Sequence, residues 1–205
     1  MNSVTNGCKK YILACTGASG VIYFIRLLKE LAKLEAKLHL IVSKAGKQVL
    51  NHELQYKDES LKVFLKKKYP DIKINSEIFE HDENDFFTPP ASGSFIHNGM
   101  VIVPSSMKTT GAIASGISDS LILRAADTAL KERRKLIIVP REAPYNRIHL
   151  ENMIRLNDAG AVILPASPSF YNHPENIDQL TDSIIGRIID HLGISHNIFK
   201  GWKSL

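Results

Sequence analysis

The sequence predicts an α/β fold, a doubly wound Rossmann-like parallel sheet in a single domain. Three observations predict it. Short unbroken apolar runs recur along the chain, which marks strands buried on both faces. Helical-period segments separate them. Small and hydroxyl residues cluster where an apolar run meets a helical one, as at Thr16-Gly17-Ala18-Ser19-Gly20.

The elements follow in order. Tyr11–Cys15 reads as a buried strand, and Ser19–Ala36 carries Ile22, Ile25, Leu28 and Leu31 at helical spacing. Lys37–Ser43 is a second strand and Lys44–Leu54 a second helix. The more polar stretch 55–87 holds a helix at Ser60–Lys68 and a short strand at Lys73–Phe79. Phe86–Phe95, with two prolines and a glycine, is a loop of the kind found at the ligand end of a sheet. Gly99–Pro104 is a strand, followed by helices at Thr109–Ser115 and Ser120–Glu132. Lys135–Pro140 and Ala161–Pro165 are strands; Arg147–Asp158 and Pro174–Leu192 are helices. No repeat or linker divides the chain, so 1–205 is read as one domain, with a core at 9–193 and a tail at 194–205.

Composition narrows the function. The 205 residues are 44% hydrophobic and 23% charged, ordinary for a globular protein. A net charge of +5 suits anionic ligands, but the basic residues form no stripe for nucleic acid. The densest run, Lys66, Lys67 and Lys68, reads as a solvated helix end. Cys8 and Cys15 offer neither a disulfide framework nor metal-ligand spacing. No leader-like apolar segment opens the chain, and no run approaches the roughly 18 apolar residues of a membrane helix. A cytoplasmic protein without a metal site is expected.

Five places carry chemistry. Gly17-Ala18-Ser19-Gly20 lets backbone approach an anion at a helix start, with Ser19 as cap or ligand contact; the plain alternative is a capped turn. Ser43 ends a strand, and Glu53 follows on the next helix. Ser105, Ser106, Thr109 and Thr110, with Lys108, form a second hydroxyl-rich strand end, which points to the same edge of a parallel sheet. Arg124 and Lys131 lie two turns apart on one helix face, and Arg133 and Arg134 read as its solvated end. Arg141 and Glu142 follow a strand directly. Tyr171 and Arg187 offer a hydroxyl and a guanidinium fork to an oxyanion. His173, before Pro174, reads as a turn residue.

Taken together, "TGASG", "SKAGKQVL", "PPASGSF", "SSMKTTGAIASGISDSLILRAADTALKERRKLIIVPREAP" and "ILPASPSFYNHP" resemble, in order from Tyr11 to Leu192, the UbiX-type flavin prenyltransferases. The resemblance implies a flavodoxin-like or Rossmann-like domain that binds FMN and assembles as a homododecamer. It implies transfer of the dimethylallyl group of dimethylallyl phosphate to N5 and C6 of reduced FMN. The prenylated FMN then serves a UbiD-type decarboxylase, often in ubiquinone biosynthesis. By motif, Gly17, Ala18, Ser19, Ser43, Ser106, Met107, Lys108, Thr109 and Arg141 are implied at the FMN site. Arg124, Lys131, Glu142, Tyr171 and Arg187 are implied around the prenyl phosphate, and Ser19, Glu53 and Glu142 in catalysis.

The fixed cations would hold the departing phosphate, where diphosphate-using prenyltransferases need magnesium. Phe95 is a candidate wall, and Trp202 a residue that reaches a neighbouring subunit. Many relatives carry cysteine at the position of Ser105, "RETP" for Arg141–Pro144 and Ile-Thr for Cys15-Thr16. Two other readings share the fold. One is an FMN-dependent cysteine decarboxylase, a class that uses a catalytic histidine early in the chain and a "PAMN" stretch, disfavoured because "PSSMKT" stands where "PAMN" is expected. The other is a non-catalytic FMN carrier, which would have no use for a second phosphate pocket.

Overall fold

Strand β1 (Lys9–Cys15) is buried from Tyr11 onward, and its side chains alternate between two cores. Tyr11, Leu13 and Cys15 face one, Ile12 and Ala14 the other, which requires a position inside a sheet covered on both sides. The computed structural model describes residues 7–198. Its strands β2 (Ala36–Val42), β3 (Glu77–His81), β4 (Gly99–Ser105), β5 (Leu136–Pro140) and β6 (Val162–Ile163) join β1 in one parallel sheet. The order is β3-β2-β1-β4-β5-β6, so the winding reverses between β1 and β4. In this doubly wound arrangement ligands bind at the carboxyl ends of the strands beside that reversal.

Helices α1 (Ile22–Ala32), α3 (Leu61–Lys68) and α7 (Ile177–Leu192) cover the face of Tyr11 and Leu13. Helices α4 (Met107–Ala114), α5 (Leu121–Lys131) and α6 (Arg147–Asp158) cover the other. Helix α2 (Lys44–Leu54) lies over the strand ends: Gly46 sits against the Cys15 carbonyl, and Glu53 reaches Gly20 and Val21.

Several boundaries differ from the sequence reading, each for a local reason. The first helix starts at Ile22 rather than Ser19, because Gly20 turns the chain at φ +96°. It stops at Ala32, whose carbonyl accepts from Asn75 and Ser76 and leaves Ala36 to open β2. Those same bonds hold 75–76 outside the sheet, so β3 spans Glu77–His81 and not Lys73–Phe79. Helix α4 begins two residues early, at Met107, because Ser106 caps it through Thr109 N. Helix α7 waits until Ile177, where Asn176 caps it through Gln179 N. Trp202 lies outside the described residues.

Candidate functional site

The rim at the β1–β4 reversal is built by one threonine. Thr16 Oγ1 donates to the Pro104 carbonyl at 2.9 Å and accepts from Ser106 N at 2.8 Å. It thereby ties the ends of β1 and β4 together and sets the turns after them side by side. Sequence reasoning passed over Thr16; its position beside Gly17 was the only signal. Behind it a cavity of about 460 Å³ opens, lined by Gly17, Ser43, Lys44, Ser106, Lys108 and Thr109.

Three helix starts converge here, and their free amides are used differently. At α1 the carboxylate of Glu53 accepts from Gly20 N (3.0 Å) and Val21 N (3.2 Å). Ser19 therefore does not cap this helix. At α2, Ser43 Oγ accepts from Gly46 N, and Glu83 accepts from Lys44 N at 2.5 Å. At α4, Ser106 Oγ takes Thr109 N (3.3 Å), and the amides of Met107 and Lys108 complete the first turn. The α4 terminus, with Lys108 beside it, is the best placed for an anion.

Close backbone approach explains Gly17. A Cβ there would stand 2.6 Å from that of Ala45, so only glycine lets α2 settle on the turn. Arg141 leaves β5 and donates its Nε to the Ser19 carbonyl at 2.9 Å, which joins a third strand end to the turn. Beneath lies the Cys15 thiol, pushed up in pKa by burial and then by the charge of Glu53, so it stays a neutral packing group.

The rim thus gathers Gly17, Ala18, Ser19, Ser43, Glu53, Ser106, Met107, Lys108, Thr109 and Arg141. Glu142 follows on the same edge, exposed, with its carboxylate on Ala143 N. Thr110 does not face the cavity; it is buried and bonded to Ser105 Oγ at 3.0 Å. Glu83 and Asp119 do line it, two residues to which the sequence reading assigned no role.

Other predicted residues stand elsewhere in the protomer. Arg124 is one turn into α5 and donates to the Ala91 carbonyl and to Asp127. Lys131 is seven residues on, roughly 10 Å along the helix toward the opposite edge, paired with Glu132 beside Gly93. Arg134 is not a solvated end: it donates to the carbonyls of Phe95 and Gly93. These contacts draw residues 91–95 down along α5, away from the rim. Phe95 goes with them and packs edge-on against His39, so it walls no cavity at the rim. Tyr171 is half-buried in the loop before α7, and Arg187 is exposed on α7 beside Asp190 (3.7 Å). His173 is a turn residue, with φ +51° and its amide on Phe170 O. Among the described residues no three His, Cys, Asp or Glu side chains are grouped to hold a metal.

A parallel sheet with a hydroxyl- and amide-lined cavity at its winding reversal defines an α/β protein that seats a phosphorylated ligand. Residues 2–189 match the family model described as Flavoprotein. The chain is 47% identical to the flavin prenyltransferase UbiX of Methanocaldococcus jannaschii, across 96% of this chain and 100% of that protein. The corresponding protein of Pseudomonas aeruginosa is 44% identical, across 96% and 95%. A solved UbiX, in complex with FMN and dimethylallyl pyrophosphate, superposes with a TM-score of 0.88 at 37% identity, across 97% and 100%. The dodecameric FMN-dependent UbiX-like decarboxylase of Escherichia coli O157:H7 superposes with a TM-score of 0.85, also at 37%, across 95% and 100%. The chain belongs to the UbiX flavin prenyltransferase family of flavoproteins. The peptidyl-cysteine decarboxylase EpiD, at 18% identity and a TM-score of 0.58, shares the fold.

Proposed function

We propose that the protein is a flavin prenyltransferase that joins the dimethylallyl group of dimethylallyl phosphate to N5 and C6 of reduced FMN. The observation that carries this is the match to UbiX proteins over almost the whole chain; a cavity lined by Gly17, Ser43, Ser106, Lys108 and Thr109 supports it. The rim suits FMN on its own chemistry: a cavity of about 460 Å³ borders the α4 terminus, where Lys108 and the amides of Met107 and Lys108 suit a phosphate. Gly17, Ala18, Ser43, Ser106, Thr109 and Arg141 would complete the seat. When bound, the reduced flavin supplies the nucleophilic ring atoms.

The protein's own groups then have distinct tasks. Glu53 holds the Ser19 turn by two amides, so the serine hydroxyl is presented on a fixed backbone. Glu142, exposed on the rim, is placed to move a proton during ring closure. Arg124, Lys131, Tyr171 and Arg187 would hold the prenyl phosphate as its charge grows on departure. Their spread within one protomer supports a site completed by a second copy, in a homo-oligomer such as a dodecamer. The product would pass to a UbiD-type decarboxylase, in a cytoplasmic setting. Among the described residues no helix is long and apolar enough to cross a membrane. We take 1–205 as one flavoprotein domain.

Anaerobic incubation with reduced FMN and dimethylallyl phosphate should give a flavin heavier by one prenyl unit in mass spectrometry. Unmodified FMN alone would reject the reading. Flavin that stays bound without turnover would favour a carrier instead.

A further inference from the structure

The opposite edge of the sheet carries a second concavity, of about 590 Å³, that the flavin chemistry does not use. The end of α1 contributes Lys29 and Lys33, the end of α3 contributes Lys68, and the segment leading into β3 contributes Tyr69, Ile72 and Lys73. A seven-residue strand such as β1 separates this edge from the rim, roughly 20 Å.

Its charge is lopsided. Four lysines line one pocket whose lining holds a single carboxylate, Asp71. Glu30, from just outside, pairs with Lys29 (3.7 Å) and Lys33 (2.5 Å). Among the described residues no ion pair engages Lys68 or Lys73. Like charges brought together repel, and a ligand with two negative charges would relieve that repulsion. The floor is different in kind: Tyr69 and Ile72 are half-buried, and the Lys29 ammonium sits 4.7 Å from the Tyr69 ring centre. Inorganic phosphate would answer the lysines and leave this apolar floor wet. A ring joined to a phosphate would answer both.

We propose that this pocket binds an organic phosphate of the nucleotide class, its phosphates on Lys33, Lys68 and Lys73 and its ring on the floor made by Tyr69 and Ile72. The site is independent of the flavin seat.

The test is a fluorescence titration of the full chain, carrying bound FMN and freed of excess flavin, with trinitrophenyl-ATP at about 150 mM salt, where diffuse surface attraction is screened. Saturable binding is expected, displaced by ADP and more weakly by inorganic pyrophosphate, with FMN retained. Lys68→Glu combined with Lys73→Glu should weaken it about tenfold or more. Lys66→Glu makes the same charge change on α3 outside the pocket lining and should leave it nearly unchanged. Equal loss in both variants, absence of saturation, displacement of FMN, or pyrophosphate competing as well as ADP would each overturn the proposal. Circular dichroism of the variants confirms that these exposed changes leave the fold intact.

Discussion

At the scale of single residues, contact distance decides more than residue type. Gly17 has no special backbone angle; it is glycine because Ala45 approaches so closely. Gly17→Ala should force α2 off the turn and cost about 1–3 kcal/mol. Thermal unfolding with and without FMN checks this, and the flavin-dependent gain in Tm should shrink as well. A second residue-scale effect lies under the 91–97 loop. His39 and His81 share a ring–ring hydrogen bond of 2.9 Å, and His97 is buried nearby with neither ring nitrogen bonded. Burial, then the neighbouring charges of His81, Lys10 and Lys37, lowers His39 to about 4. Burial, then Arg134, lowers His97 to about 4. Between pH 6.5 and 4 the unfolded chain therefore binds protons that the native rings refuse, so stability rises with pH across that window. It should fall on acidification by up to about 3 kcal/mol per ring. Urea unfolding at stepped pH measures this, and His97→Gln should flatten the acid limb.

At the scale of elements, the helices are held to one another by a few asymmetric ties. Arg26 on α1 is buried and pairs with Asp178 (2.8 Å) and Asp182 on α7. Asp182 is mostly covered and Asp178 more than half exposed, so the two should not weigh alike. Asp182→Ala should cost about 3 kcal/mol, because it strands part of a buried charge. Asp178→Ala should cost about 1 kcal/mol or less, as exposed pairs do. Denaturant midpoints compare them directly. On the other face Arg124 of α5 and Arg134, just after that helix, do similar work and hold the carbonyls of Ala91, Gly93 and Phe95. The sequence placed Arg124 and Lys131 correctly on one face of α5. It could not show that the 91–95 loop, more than 30 residues upstream, would lie along that face. Element ends were less legible than element cores, since Gly20 sets one by its backbone angle, Ser76 another by bonds to the distant Ala32 carbonyl, and Asn176 a third by a local cap.

At the scale of the whole molecule, the rim residues are gathered within one chain and the cations proposed for the prenyl phosphate are not. If a second copy supplies part of that site, Lys131→Ala and Arg187→Ala should each abolish turnover alone. Oligomers reassembled from a mixture of the two should then recover a measurable share of activity, since some sites receive both native side chains. No recovery from properly mixed oligomers would place both residues in the same copy's site. Either result is read by prenylated-flavin formation and by the mixed species in native mass spectrometry.

By itself the sequence determined the strand and helix pattern and singled out the turns after β1, β2, β4 and β5 as candidate ligand sites, because apolar period and strand-end hydroxyls are local properties; the family was legible through the resemblance of its motifs in order. Only the tertiary structure decided that Thr16 would bind β1 to β4, that Glu53 would occupy the α1 amides, and that Arg141 would reach the Ser19 carbonyl. Those outcomes depend on which of several equivalent donors and acceptors meet after the sheet has wound, and that pairing is set by distance through space, which spacing along the chain does not encode.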